Sequence, residues 1–258
     1  MQTFKEKDDP FVKHEPCPDQ SGCGSSDAFS RYESGSGYCF KCGLYEKSNG
    51  NVAHTSAPTQ LRRPLEMTGV VAAIPDRRIS HETCKKYNVT VEFDTEGKIA
   101  KHIYPYYATG SNEIKASKVR VVKSKDFFAT GTMSEGVGLF GQNTCRGKGK
   151  FITITEGELD ALSVAEMFDC KWDVVSLRSG ASAAAKEVKE NLEFLEGYDS
   201  VVVCFDSDPA GQQAIDEIKD LFSPSKLKIC TLPVKDASDM LVAGKVKDFV
   251  AAWWNSKG

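Results

Sequence analysis

Four carboxylates and four cysteines are the residues whose types and spacing could do chemistry in this chain. Glu156 follows the apolar run FITIT and precedes Gly157, Asp206 and Asp208 follow SVVVCF as FDSDPAG, and Asp236 follows KLKICTL as PVKDASD. Each therefore stands beyond the carboxyl end of an expected strand, the edge at which doubly wound sheets hold their ligands. The period of two sends both carboxylates of the Asp206/Asp208 pair to one side, and Pro209 then opens a helix. Four like charges on one rim repel unless a hard divalent cation lies among them. One or two Mg²⁺ ions, with Mn²⁺ as the alternative, suit that set and suit phosphoryl transfer. Taken singly, each acid is also a helix N-cap or first-turn residue, and for Asp160 and Asp239 that plainer reading serves as well.

The cysteines read Cys17-x5-Cys23-x15-Cys39-x2-Cys42. The close pair supplies two thiolates from one turn, the wider pair completes a tetrahedral zinc site, and His14 stands as an alternative ligand. About 35 residues make no core unaided, so a single structural zinc is the expected staple. With no open coordination position it does no chemistry. Arg31, Tyr32, Tyr38, Phe40 and Lys41 then offer cationic and stacking groups suited to nucleic acid.

Stepping from these residues to the elements that position them, the chain divides into four segments. Residues 11–45 form the zinc ribbon, and 46–63, polar and rich in Ser, Asn, Thr and Pro, a flexible linker. Residues 64–149 carry β-branched and aromatic runs at 87–93, 98–108 and 113–122, the pattern of a mixed α+β unit. From 150 to 258, apolar strands alternate with amphipathic helices, which predicts a parallel, doubly wound α/β sheet. The loop RSGAS, containing Gly180 and Ser182, joins a strand to a helix and reads either as a phosphate cradle or as a tight turn.

The chain has 258 residues, 40% hydrophobic and 27% charged, which excludes a disordered protein. Neither a signal peptide nor a spanning helix is recognisable, and nine cysteines, an odd number, fit a metal site plus reduced thiols, so a cytoplasmic protein is expected. The net charge of -3 divides into -2 for 1–60, +7 for 61–150 and -8 for 151–258. The basic middle faces an anion or is simply a solvated β face. Along EIKASKVRVV alternate residues share a face, so Lys118 and Arg120 project together.

The order TEGELDAL, VVVCFDSDPAG and VKDASDM resembles the Toprim module of bacterial-type primases, topoisomerases and some nucleases. With the four-cysteine ribbon, the linker, the basic segment SKVRVVKSKDFFATG and VSLRSGASAA, nearly the whole chain resembles the primase half of T-seven-like phage primase-helicases. The resemblance implies that Glu156, Asp160, Asp206, Asp208 and Asp236 are acidic active-site residues. It implies that Lys118 and Lys125, with Arg120 and Lys123 beside them, face nucleotide and template. Two departures accompany it. The first cysteine pair is more widely spaced, and Ser36 replaces a base-contacting histidine, so Arg31, Tyr32, Ser36 and Tyr38 would read a different template word. Nor does a helicase phosphate loop follow: GQNTCRGKG has the wrong spacing, which suggests a primase fragment or a stand-alone primase.

The function so implied is template-directed synthesis of RNA primers on single-stranded DNA from ribonucleoside triphosphates. A metal held by Asp206 and Asp208, with Glu156 and Asp236 nearby, would activate the attacking 3′-hydroxyl; Glu156 is ligand or general base. A hexameric replicative helicase, in cis or in trans, and a replicative DNA polymerase would be partners in the host bacterial cytoplasm, with no membrane involved. Two alternatives stand beside it: a non-catalytic RecR-like Toprim and zinc clamp, and a Toprim nuclease. The clamp family carries a helix-hairpin-helix ahead of its zinc site, for which the residues before His14 leave little length.

Overall fold

The computed structural model describes residues 10–19, 23–39, 42, 44–54, 63–133, 136–223 and 225–257. It falls into two units, Met1–Arg62 and Arg63–Gly258. Phe40, Lys41 and residues 55–62 of the expected linker lie outside the described residues, while residues 52–54, expected within the linker, form a strand by pairing with 44–46.

The first unit is an antiparallel sheet of β1 (Phe11–Glu15), β2 (Phe29–Tyr32), β3 (Gly37–Cys39), β4 (Leu44–Glu46) and β5 (Val52–His54), paired in that order. Its buried apolar cluster is Cys17, Phe29, Cys39 and Leu44, with Cys23, Ala28 and Cys42 against it. The sulfurs are thus part of the core, as a unit with one buried phenylalanine requires.

The second unit contains two four-stranded sheets. The parallel one is ordered β11 (Asp173–Ser176), β10 (Gly149–Thr155), β12 (Tyr198–Cys204), β13 (Leu227–Ile229). Ile152, Ile154, Val201, Val202 and Val203 are fully buried, because helices cover both faces and leave no polar side for alternation to serve. One face packs on α3 (Ala184–Glu190), α4 (Leu192–Glu196) and α5 (Pro209–Ile218). The other packs on α2 (Glu158–Met167), α6 (Ala237–Val242) and α7 (Val246–Trp254). The second sheet is an antiparallel meander, β6 (Thr90–Phe93), β7 (Ile99–Tyr107), β8 (Ile114–Val121), β9 (Phe127–Gly131), preceded by α1 (His81–Tyr87). One core runs through both: Ile79, Tyr87, Tyr104 and Tyr106 join Leu162, Val174, Phe249 and Trp253 in a single cluster.

The parallel α/β sheet is the one the strand pattern predicts, and three local details differ. The segment expected to start a strand at 87 instead ends α1 there. Ser80 caps that helix by accepting the Thr83 N–H, and Asn88 ends it in the left-handed region at φ 54°. The helical run after Gly180 breaks at buried Asn191, whose backbone N–H and side-chain amide both donate to the Glu187 carbonyl. β9 is an additional strand, made by pairing with β8. Among the described residues no helix is long and apolar enough to cross a membrane.

Candidate functional site

All four strands of the parallel sheet end on one side, and there the acids gather. Glu156 directly follows β10, and its Oε1 accepts the Asp206 N–H at 3.0 Å. Burial, with the charges of Asp206 and Asp208, pushes its carboxyl above the ordinary range against that hydrogen bond. Asp208 caps α5 by accepting the Gly211 N–H at 3.0 Å, and Asp236 caps α6 by accepting the Asp239 N–H at 2.7 Å. The N-cap reading and the rim position therefore hold for these acids together. Asp236 is raised by burial. Asp160, in the first turn of α2, is pushed up to about 8 by burial and by Asp236, although it accepts the Ser238 N–H at 3.0 Å. Gly211 is required here: a Cβ on it would lie 2.2 Å from the Asp206 carbonyl and 2.7 Å from Glu156 Oε1.

Among the described residues, these acids pair with a cation that strand-end reasoning did not single out. Lys235 Nζ lies 3.0 Å from Asp206 Oδ2, while its carbonyl accepts the Ser207 N–H at 2.7 Å. Among the described residues, only the four cysteines form a group of three or more candidate ligands with donor atoms within 4.8 Å of one another. The rim acids are neighbours with oxygens spread over the rim.

Facing the rim across an open cleft of about 550 Å³ is the meander. The cleft is lined by Lys118, Phe127, Glu156, Asp160, Gly180 and Asp206, among others. Lys118 and Arg120 share a face of β8 as expected, opposite Tyr104 and His102. Lys118 is tied down: Nζ lies 2.8 Å from Glu158 Oε1 and donates to the Arg178 carbonyl at 2.8 Å, and Tyr106 also donates to Glu158. Glu158 is a buried acid that a two-residue offset from Glu156 does not distinguish from a solvated first-turn residue. Lys123 and Lys125 sit exposed on the β8–β9 turn, away from the cleft lining. Gly180 adopts φ 71°, ψ -165°, a conformation that demands glycine, and Ser182 is exposed in the short turn that follows.

In the first unit Cys17 and Cys42 sulfurs lie 3.6 Å apart and Cys23 and Cys39 sulfurs 3.7 Å apart. Tetrahedral Zn–S bonds of about 2.3 Å place sulfurs about 3.8 Å apart, so the cluster fits zinc. His14 stands outside it, its Nδ1 hydrogen-bonded to Ser30 Oγ at 3.1 Å, which leaves the all-cysteine set. Arg31 is occupied within its own sheet: it contacts Glu15 at 2.7 Å and Glu46 at 2.9 Å, and donates to the Gly35 carbonyl at 3.0 Å. Tyr32 packs edge-on to Phe11 at 6.5 Å, an exposed aromatic that sequence reading passed over. Ser36 is buried, its carbonyl accepting the Tyr32 N–H at 3.0 Å, and Tyr38 is half-buried beside the sulfurs.

Comparison with known proteins agrees with this geometry. The Toprim-like family matches residues 153–241. The chain is 33% identical over 265 residues to a DNA helicase/primase of Enterobacteria phage T3, covering 98% of this chain and 45% of that protein. It thus spans less than half the length of that relative. The crystal structure of the primase fragment of the bacteriophage T7 primase-helicase superposes with a TM-score of 0.69 at 31% identity, covering 95% of this chain and all of that fragment. The catalytic domain of DnaG primase, solved bound to single-stranded DNA, shares the fold at a TM-score of 0.54 and 15% identity, over 71% of this chain and 72% of that one.

Proposed function

The chain belongs to the family of phage primase-helicase primase fragments, and from that premise we propose that it makes short RNA primers on single-stranded DNA by metal-dependent nucleotidyl transfer. The observation that carries this reading is the acidic rim, of which Glu156, Asp160 and Asp206 line a cleft together with Lys118, in a chain alignable over nearly its whole length to a primase fragment.

The donors fit a hard divalent cation: they are carboxylate oxygens, and burial and mutual repulsion raise Glu156, Asp160 and Asp236 in its absence. Glu156, Asp206, Asp208 and Asp236, with Asp160 behind them, would hold one or two Mg²⁺ ions, with Mn²⁺ as substitute. Bound there, the metal supplies Lewis acidity toward a 3′-hydroxyl and charge neutralisation toward pyrophosphate. Glu156 serves as ligand or as general base. Lys118 uses two of its three donors on Glu158 and Arg178, so its ammonium is fixed in place with one N–H left for a phosphate oxygen. Arg120 shares the β8 face with Lys118 but is buried, and with exposed Lys123 and Lys125 it would contribute at longer range to holding the template backbone. Gly180 lines the cleft, and it and the exposed Ser182 beside it would contact a triphosphate. In the zinc unit Tyr32, Tyr38 and Ser36 would read the template, and Arg31 would brace the strands that carry them. The partners proposed are single-stranded DNA, ribonucleoside triphosphates, a hexameric helicase in cis or in trans and a replicative DNA polymerase, in the cytoplasm of the host bacterium.

The test is incubation of the chain with Mg²⁺, labelled ribonucleoside triphosphates and random single-stranded templates, with Asp206→Ala in parallel. Template-dependent oligoribonucleotides from the native chain and none from the variant, with DNA binding retained, are expected. Bound but intact templates without product would favour the clamp, and degraded templates the nuclease.

A further inference from the structure

Phe127 is the first residue of β9, the edge strand of the meander, and its side chain is 51% exposed on the cleft wall. A lone exposed phenylalanine needs no explanation, but this one is held in a particular way. Register places it opposite Arg120, and Ala129, the next residue on that face, opposite Lys118. The Lys118 ammonium lies 5.4 Å and the Arg120 guanidinium 5.9 Å from the ring centroid, both within cation–π range. Lys118 is itself fixed by Glu158 and Arg178, so the cation beside the ring does not wander. The adjacent Phe128 points to the other face of the sheet, where Arg63 stacks over it at 4.2 Å. Both rings carry cations, but Phe128 is partly buried while Phe127 keeps half its surface exposed in the cleft that Glu156 and Asp206 also line.

We propose that Phe127 is a nucleobase-stacking platform on the cleft wall, with Lys118 beside it to meet a phosphate of the same nucleotide and the buried Arg120 adding positive charge from behind. An aromatic ring flanked by cations offers a flat π surface to any base and charge to its backbone, the combination by which proteins hold nucleotides without reading their sequence. The base belongs either to a triphosphate or to the template strand. This assignment rests on the nucleotidyl-transfer reading of the cleft, and Phe127 acts in it as a positioning residue, away from the reacting atoms.

Three variants test it. Phe127→Ala should raise KM for the nucleotide or the template between about 5-fold and 150-fold with kcat nearly unchanged, the signature of lost uniform binding, and Phe127→Tyr should restore it. Phe127→Trp adds an indole at the site, while Trp172, Trp253 and Trp254 form their own separate cluster. Its added emission should be quenched by ATP in one arm or by a single-stranded oligonucleotide in the other, which tells the two sources apart, and should not respond to tripolyphosphate, which has no base. Emission unmoved by either ligand, or moved equally by tripolyphosphate, overturns the platform, as does an unchanged KM in Phe127→Ala. Failure of primer synthesis by the native chain counts against the polymerase reading instead, because the quenching assay needs no turnover.

Discussion

Replacing Lys118 by Met should unfold the protein more readily before it says anything about nucleotides. Glu158 is only 4% exposed at its side chain, and Lys118 is its cationic partner at 2.8 Å. At an effective dielectric of about 20 that separation corresponds to about 6 kcal/mol of direct attraction. Desolvation offsets part of it, and removing one member of a buried pair costs about 3–5 kcal/mol, because the stranded charge keeps only its neutral partner. Here that partner is Tyr106, whose hydroxyl also donates to Glu158. For a unit of this size about 2–4 °C of Tm accompanies each kcal/mol, so Lys118→Met should lower Tm by about 6–20 °C in calorimetry without metal or nucleotide. Adding Glu158→Met to that variant removes the stranded carboxylate and should recover most of the loss. A single variant that melts with the native protein, or a double variant no better than the single, would refute the argument and return Lys118 to a purely ligand-facing role.

Other expectations follow from the same structure. His102 is fully buried, and burial with the nearby Arg120 charge holds its imidazole down from 6.5 to about 4. The folded state resists a proton that the unfolded chain accepts, so stability is lost as pH falls from about 6.5 towards 4, by on the order of 3 kcal/mol for this residue. Replacing it with Asn should flatten that part of a pH series of urea titrations, and an unchanged slope would sink the assignment. Cys42→Ser should reduce zinc from one ion per chain to none by atomic emission while the melting of 63–258 stays put; retained zinc would remove Cys42 from the cluster. Lys235 would compete with the proposed metal for Asp206 through a half-exposed ion pair, worth about 0.2–1 kcal/mol. Lys235→Met should therefore tighten Mn²⁺ binding by about 1.5- to 5-fold in electron paramagnetic resonance titrations, and weaker binding would show that the lysine helps the site rather than guards it.

What the sequence discloses about this molecule is what repeats or what is chemically costly. FITIT and SVVVCF carry no charge and are rich in β-branched residues, and their hydroxyl-bearing Thr153, Thr155 and Ser200 are buried with the rest, as a strand covered on both faces requires; the carboxylates after them stand at the edge where such sheets hold ligands. The cysteine spacing declares a metal because so short a segment has little else to bury. What stays hidden depends on partners distant in sequence. Glu158 is two residues from Glu156, and only folding brings it against Lys118, 40 positions earlier. Lys235 sits beside Asp236 in the chain but pairs with Asp206. β9 has little alternation to reveal it, and its pairing with β8 is what makes it a strand. The break between α3 and α4 at Asn191 falls within one continuous amphipathic run, which periodicity does not interrupt.

The core shared by the meander and the parallel sheet bears on how the cleft can work. Tyr87 donates to the Val174 carbonyl at 3.0 Å, Lys86 to the Cys170 carbonyl at 2.9 Å and the Ser80 N–H to Glu166 at 2.9 Å, riveting α1 to the elements that cover the acidic sheet. The two walls of the cleft are therefore cast in one piece, closer to a die than to a pair of jaws. Such a cleft is not built to grip by closing; under the proposed function a growing strand would slide over fixed contacts. Substitutions in that shared core should disturb the spacing between lysine wall and acidic rim, and with it the chemistry, without touching a single residue that faces the cleft.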